Sequence, residues 1–164
     1  MSAEVHLRRF DSNSPRDAAA FRRLNLEWLE RLFVVEADDH RVLNDPAGEI
    51  IRPGGLILFA EIAGEIVGCC ALIAQPAEPG CWEVAKLAVT AGFQGRKIGR
   101  RLMEAMTEEA RALGARRLVL VTNSGLGAAR RLYESMHFTY LPPAQAGGLG
   151  HFQRGDTFME KILG

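Results

Sequence analysis

Residues 89–102, Val89-Thr90-Ala91-Gly92-Phe93-Gln94-Gly95-Arg96-Lys97-Ile98-Gly99-Arg100-Arg101-Leu102, join a strand end, a short turn and a Gly- and Arg-rich entry into an amphipathic helix. The first N–H groups of a helix have no partner inside it, and the macrodipole adds partial positive charge at the same point. Such an end takes phosphate groups. Arg96, Lys97, Arg100 and Arg101 gather around it, although the chain as a whole balances 20 basic against 20 acidic residues. An anionic small ligand is therefore expected, and nucleic acid is not, because that partner usually demands a strong basic excess.

Other chemistries find little support. The three cysteines, Cys69, Cys70 and Cys81, are odd in number, and two are adjacent in an apolar run. They do not form a disulfide framework, and no Cys/His spacing suits zinc, so no metal is expected. A reducing cytoplasm is the natural compartment. The polar start, residues 1–10, does not read as a signal peptide. No apolar run reaches membrane-spanning length, so no membrane partner is expected.

The elements that must hold the anion site follow from periodicity. Residues 5–10 read as a short strand. Ser14-Pro15-Arg16-Asp17 reads as a capped helix start with a capping box, and Phe21, Leu24, Trp28 and Leu32 continue it at helical spacing to about Phe33. Residues 34–44 hold a second short helix that ends before Asp45-Pro46. Residues 56–62 and 66–73 form a hairpin around Ala63-Gly64-Glu65, and residues 81–89 form a further strand. Ile98, Leu102, Ala105, Met106, Ala110 and Leu113 make one face of a helix that Gly114 closes. Strand 118–122, helix 127–136 and strands 137–141 and 157–163 complete the order, with the loop 142–150 before the last. One domain over residues 1–164 is expected. It is an α/β fold, a single mixed sheet with helices on both faces. Two crossovers, from strand 81–89 to strand 118–122 and onward from there, are candidate parallel units.

Three ordered pieces of the chain resemble the GNAT superfamily of acyl-coenzyme-A-dependent N-acetyltransferases. Glu83-Val84-Ala85-Lys86-Leu87-Ala88-Val89 with Gln94-Gly95-Arg96-Lys97-Ile98-Gly99 is similar to the family's fourth strand and pyrophosphate loop. Leu120-Val121-Thr122-Asn123, Ala128-Ala129, Leu132-Tyr133-Glu134 and His137-Phe138 are similar to its Asn…Ala…Leu-Tyr-Glu…Gly-Phe segment. Phe59-Ala60-Glu61 and Ile66-Val67-Gly68 match its central hairpin. Two residues depart from the pattern: Lys97 and His137 stand where glycine is usual.

The resemblance implies a mostly antiparallel sheet with a splayed pair of parallel central strands, and acetyl-CoA as acyl donor. The amine must lose its proton, and a lysine-type amine is neutral in only about one molecule in 10³ near pH 7.4, a cost of about 4 kcal/mol. Glu83 is the implied base, acting directly or through water. Tyr133 is the implied acid for the thiolate, and the backbones of Leu87, Ala88 and Val89 meet the acyl carbonyl and pantetheine arm. Gln94, Gly95, Arg96, Lys97, Ile98, Gly99 and Arg100 wrap the pyrophosphate. Asn123 either bonds the pantetheine arm or serves as a cap or turn residue. Trp28, Glu36 and Arg154 are candidates for the acceptor side, where Glu27 and Asp38 add acidic charge suited to a cationic amine. His40 and His151 are read as surface residues. The expected acceptor is a primary amine of a small molecule. A protein or peptide acceptor, a non-catalytic acyl-CoA sensor and a homodimer stay open.

Overall fold

The computed structural model describes residues 4–146, 149 and 154–164, so His151 and part of the loop 142–150 lie outside the described residues. The elements run β1 (Val5–Arg9), α1 (Pro15–Leu32), α2 (Ala37–Asn44), β2 (Leu56–Ile62), β3 (Glu65–Ala74), β4 (Cys81–Val89), α3 (Ile98–Ala112), β5 (Arg117–Thr122), α4 (Gly127–Ser135), β6 (Thr139–Leu141) and β7 (Thr157–Ile162). A π-helical turn, Ala47–Ile51, follows α2, with Pro46 at its N-cap.

Ser14 caps α1 as expected, accepting from the Asp17 N–H at 3.1 Å. The reciprocal half of the box does not form. The Asp17 carboxylate turns instead to Arg8, at 2.7 and 2.8 Å, and to the Asp11 N–H. A buried carboxylate gains more from a bidentate guanidinium than from one amide.

All seven strands lie in one sheet, ordered β1-β2-β3-β4-β5-β7-β6. Strand alternation divides the apolar residues between its faces. Leu58, Ala60 and Ile62 join Leu102, Met103 and Met106 under α3, whereas Ile57 and Phe59 join Phe21, Leu24 and Leu29 under α1. Among the described residues, only β4 and β5 pair in parallel. The second expected parallel crossover is corrected: the late strand β7 enters between β5 and β6, antiparallel to both. The parallel pair is short. Cys81, Trp82 and Glu83 meet Arg117, Leu118 and Val119, and beyond them the two strands part.

Residues 137–138, expected in a strand, instead terminate α4. The Phe138 N–H reaches the Tyr133 carbonyl and the His137 N–H reaches that of Glu134, both at 3.0 Å. This double bond pattern requires a left-handed residue, and His137 supplies it at φ 70°. A β-carbon costs about 1–2 kcal/mol there. Part of that is offset by glycine's greater freedom in the unfolded chain. His137→Gly is expected to raise stability by about 0.5–1 kcal/mol, read as a higher urea midpoint with unchanged slope.

Candidate active site

Parting of β4 from β5 opens a cavity of about 780 Å³ between them. Glu83, the last residue of β4 paired with β5, stands at its apex and lines it. The Gln75 amide lies 3.4 Å from the Glu83 carboxylate. Val84 to Val89 continue along one wall, and Asn123, Ala128, Ala129 and Tyr133 form the other. Predicted catalytic residues from β4 and α4 thus face one space.

Along the β4 wall the ladder to β3 slips. Ala85 faces Ala71 and Ala88 faces Cys69, so Lys86 and Leu87 share the place opposite Cys70. Lys86 takes a left-handed φ of 56°. This is a bulge, a device that re-aims groups of a strand beside a site. The Cys69 thiol donates to the Lys86 carbonyl at 3.3 Å and lies 3.6 Å from the Asn25 amide nitrogen of α1, which ties α1 to the bulge.

Beyond Val89 the chain makes a 3-10 turn, Ala91–Phe93, and enters α3. Gln94 bonds back to the Val89 carbonyl at 3.1 Å. Lys97 is the N-cap residue, left-handed at φ 61°, and no side chain caps the helix. The usual glycine at this place is thereby explained: the turn demands positive φ. The leading amides of α3 face a recess lined by Gly95, Lys97, Gly99, Arg100, Ala128 and Leu132. A β-carbon at Gly99 would approach Leu132 at 3.6 Å and narrow that recess, while one at Gly95 meets nothing within 4 Å. The residues thus fit a pyrophosphate, with open space before unpaired donors. Arg100 reaches the recess from α3 and is anchored to Ser135 at 2.8 Å. Arg96 instead stacks on the Phe93 ring, 4.9 Å from its centroid.

Tyr133 is buried on α4 and packs against Phe138, 6.1 Å between centroids. Burial pushes its phenol well above its ordinary value, with the neighbouring Cys70 adding to the effect. The thiols are pushed up by burial too, Cys69 to about 12 and Cys81 to about 11. A thiol held protonated is a poor nucleophile, so these cysteines do not suit a covalent acyl-enzyme.

On the acceptor side the carboxylates are largely committed. Glu27 accepts from the Thr90 hydroxyl and the Ala91 N–H, and that amide bond, foremost, holds it below the usual carboxylate range. Glu49 pairs with Arg41. Glu36 caps α2 and accepts from Arg154 at 3.2 Å; it is absent from the cavity's described lining, whereas Trp28 and Arg154 are part of it. Arg154 also grips Asp39 with both terminal nitrogens, at 2.7 and 2.5 Å, and Lys86 lies 3.6 Å from Asp39. Asp39 is wholly buried. Of the expected acidic groups, Glu27 is tied to the turn after β4, Asp38 pairs with Arg41, and Glu36 joins Asp39, Arg154 and Lys86 in an ion cluster that latches α2 to the turn before β7.

Asn123 uses both ends of its amide within the fold. It donates to the Arg154 carbonyl at 2.7 Å and accepts from the Gly125 N–H at 2.8 Å. Ser124 bonds Asp156. Asn25, Asp39 and Lys86 escaped the sequence reading as site residues. Asn25 is a polar residue inside an apolar helical stripe. Asp39 stands three places after the α2 cap, where a capping box puts its acid. Lys86 is three residues from Glu83 on the same strand.

The chain matches the acetyltransferase (GNAT) family over residues 18–138. It is 35% identical over 116 residues to the IAA acetyltransferase of Azospirillum brasilense, covering 70% of this chain and 72% of that one. A GNAT-family acetyltransferase from Staphylococcus aureus superposes with a TM-score of 0.87 at 16% identity, covering 98% of this chain and all of that one. The protein yncA of Salmonella typhimurium, solved with its cofactor acetyl-CoA, gives 0.73 at 23% identity, covering 99% and 95%. At those identities the structural likenesses speak for the fold.

Proposed function

This chain belongs to the acetyltransferase (GNAT) family, and from that premise we propose that it moves an acetyl group from acetyl-CoA to a primary amine of a small molecule, by direct attack in a ternary complex. The observation that carries this reading is the opening of β4 from β5 immediately past Glu83. It forms one cavity flanked by Tyr133 of α4 and leads toward an uncapped helix start.

The roles follow from position. Gln94, Gly95, Lys97, Ile98, Gly99 and Arg100 hold the pyrophosphate by backbone donation and charge. Arg96, on Phe93, adds to the surrounding field. Backbone groups of Leu87, Ala88 and Val89, re-aimed by the bulge, orient the acyl carbonyl as negative charge develops on its oxygen. Glu83 accepts the amine's proton, directly or through a water. Tyr133 gives hydrogen to the departing sulfur. Asn123 acts on the site by fixing the turn at Arg154. Trp28 and Arg154 border the acceptor, and Glu36 supports Arg154.

A small acceptor is favoured over a peptide by the way α2 and the turn at residue 154 are latched over the cavity. A cytoplasmic location is supported by three buried, unpaired thiols. Among the described residues no helix is long and apolar enough to cross a membrane. Nor does any cluster of three His, Cys, Asp or Glu groups suit a metal.

Thiol release from acetyl-CoA, measured against a library of free amines and a peptide array, tests the reading. Turnover with free amines is expected. Acetylated peptides beside inert amines would overturn it. Lys97 supplies a further check. Lys97→Gly is expected to raise stability by about 0.5–1 kcal/mol, since the left-handed turn is relieved. It should also weaken acetyl-CoA binding a few-fold at low salt, an effect that vanishes as salt screens the charge. Melting curves and titration calorimetry at two ionic strengths read both.

A further inference from the structure

Helix α1 sets three polar residues along the cavity at successive three-residue steps. Asn25 is wholly buried. Its nitrogen is occupied by the Phe21 carbonyl at 2.9 Å and by Cys69, but its Oδ1 has no hydrogen-bond partner among the described residues. The Trp28 Nε1, one turn on, is likewise buried without a partner. Arg31, one turn further, is exposed at the rim, and no hydrogen bond or ion pair to its guanidinium is found among the described residues. All three residues line the cavity.

An unpaired buried polar atom carries a desolvation penalty of about 1–3 kcal/mol, and native structures tolerate few. Two on one helix, both bordering the same cavity, call for a ligand that pairs with each. The atoms have opposite demands: Oδ1 takes a hydrogen, and Nε1 gives one. Both atoms are closed to solvent in the resting structure, so pairing with a ligand requires each side chain to turn about its terminal torsion, which is soft in Asn and Trp. Residues three apart on a helix stand about 5–6 Å from each other. That separation suits two polar groups a few bonds apart in one small molecule.

Position assigns the ends. Asn25 touches Cys69, whose thiol bonds the Lys86 carbonyl of the bulge, so the hydrogen-accepting end lies beside the strand segment that orients the acyl group. The hydrogen-giving end, followed by Arg31, leads outward. Charge agrees with this order. Of the cations that line the cavity, Arg41 is held by Glu49, and Lys86 and Arg154 by Asp39, while Arg31 stands at the rim, away from Glu83 at the apex.

Resting on the amine-acetyltransferase reading, we propose that the acceptor also carries a carboxylate: an amino acid or close analogue, its amine on Asn25 Oδ1 and its carboxylate on Trp28 Nε1 and Arg31. The step transfers the acetyl group from sulfur to nitrogen. The C–S bond breaks, the C–N bond forms, and the amine's proton leaves while the thiolate gains one.

Matched acceptors test this with the purified chain: leucine, leucinamide and isoamylamine, and phenylalanine, phenylalaninamide and phenethylamine. The two amino acids are expected to exceed their amides and amines by about tenfold or more in kcat/KM, as a charge-assisted bond warrants. Arg31→Gln, a surface change, should lower kcat/KM for the amino acids about tenfold and leave the simple amines within about twofold. Asn25→Leu should raise KM for every acceptor by more than it weakens acetyl-CoA binding. Simple amines that equal the amino acids, or an Arg31→Gln loss shared by both, would overturn the carboxylate proposal and leave the small-amine reading standing. Inert free acceptors beside acetylated peptides would bring down both.

Discussion

Replacing Tyr133 with phenylalanine is expected to lower kcat about 10²–10³-fold, the range in which a positioned acid commonly contributes, while acetyl-CoA affinity stays within a few-fold. Folding stability should stay level or rise slightly. The two expectations have one cause. The side chain is buried, and no hydrogen bond to its hydroxyl is found among the described residues. Removing the oxygen therefore breaks no bond of the resting fold, and a hydroxyl without a partner adds no hydrogen-bond stabilisation. Burial, reinforced by Cys70, pushes its pKa above the ordinary value of 10. The group stays protonated throughout the working range and is a constant donor. Wild-type kcat should show no alkaline limb from Tyr133 below pH 10. Thiol-release kinetics from pH 6 to 10, with thermal melts of both proteins, decide the matter. Unchanged turnover in the phenylalanine variant would remove Tyr133 from the mechanism.

What could be read from the residues alone was local. The strand, turn and helix start around Gln94–Arg100 lie close together in the chain, and the types needed for a phosphate cradle are adjacent. Lys97 and His137 were visible as departures from glycine. The structure adds the reason, since both sit at positive φ where the backbone, not the side chain, makes the demand. Contacts far apart in sequence stayed hidden. Arg154 and Asp39 are separated by 115 positions, and nothing in either neighbourhood announces the other. The entry of β7 between β5 and β6 is also a competition among distant pairings, so the expected second parallel crossover failed. Glu27, Glu36 and Asp38 read as an acidic acceptor surface because composition counts charges without their partners. In the fold, Glu27 holds Thr90 and Ala91, Glu36 faces Arg154, and Asp38 accompanies Arg41.

Loss of the Asp39 charge should be the most damaging single change to the fold's acceptor side. Asp39→Asn is expected to cost about 3 kcal/mol, at the lower end of what breaking a buried charge pair costs and a large share of an ordinary domain's stability. The carboxylate is wholly buried between Arg154 and Lys86. An amide of the same shape offers Arg154 no charge and leaves two cations facing one another across it. Glu36 does not replace it, because it lies at the more exposed edge and meets one nitrogen of Arg154. Glu36→Gln should accordingly cost about 1 kcal/mol or less. Acidity supplies a second test. Burial alone would raise the Asp39 pKa, but the Arg154 guanidinium, the Glu36 N–H and the Lys86 charge hold it below 3.8. A carboxylate depressed on folding stabilises fully above its unfolded pKa, and that contribution fades as pH falls through the folded value. The gap between wild type and Asp39→Asn should therefore be constant from pH 7 to about 5 and narrow below 3.8. Urea melts across that range measure it. Because α2 is latched through this group, KM for the acceptor should rise in the variant while acetyl-CoA affinity holds. A variant as stable as wild type at pH 7 would mean that the cluster's desolvation cost cancels its attraction, and that α2 is held by its apolar contacts alone.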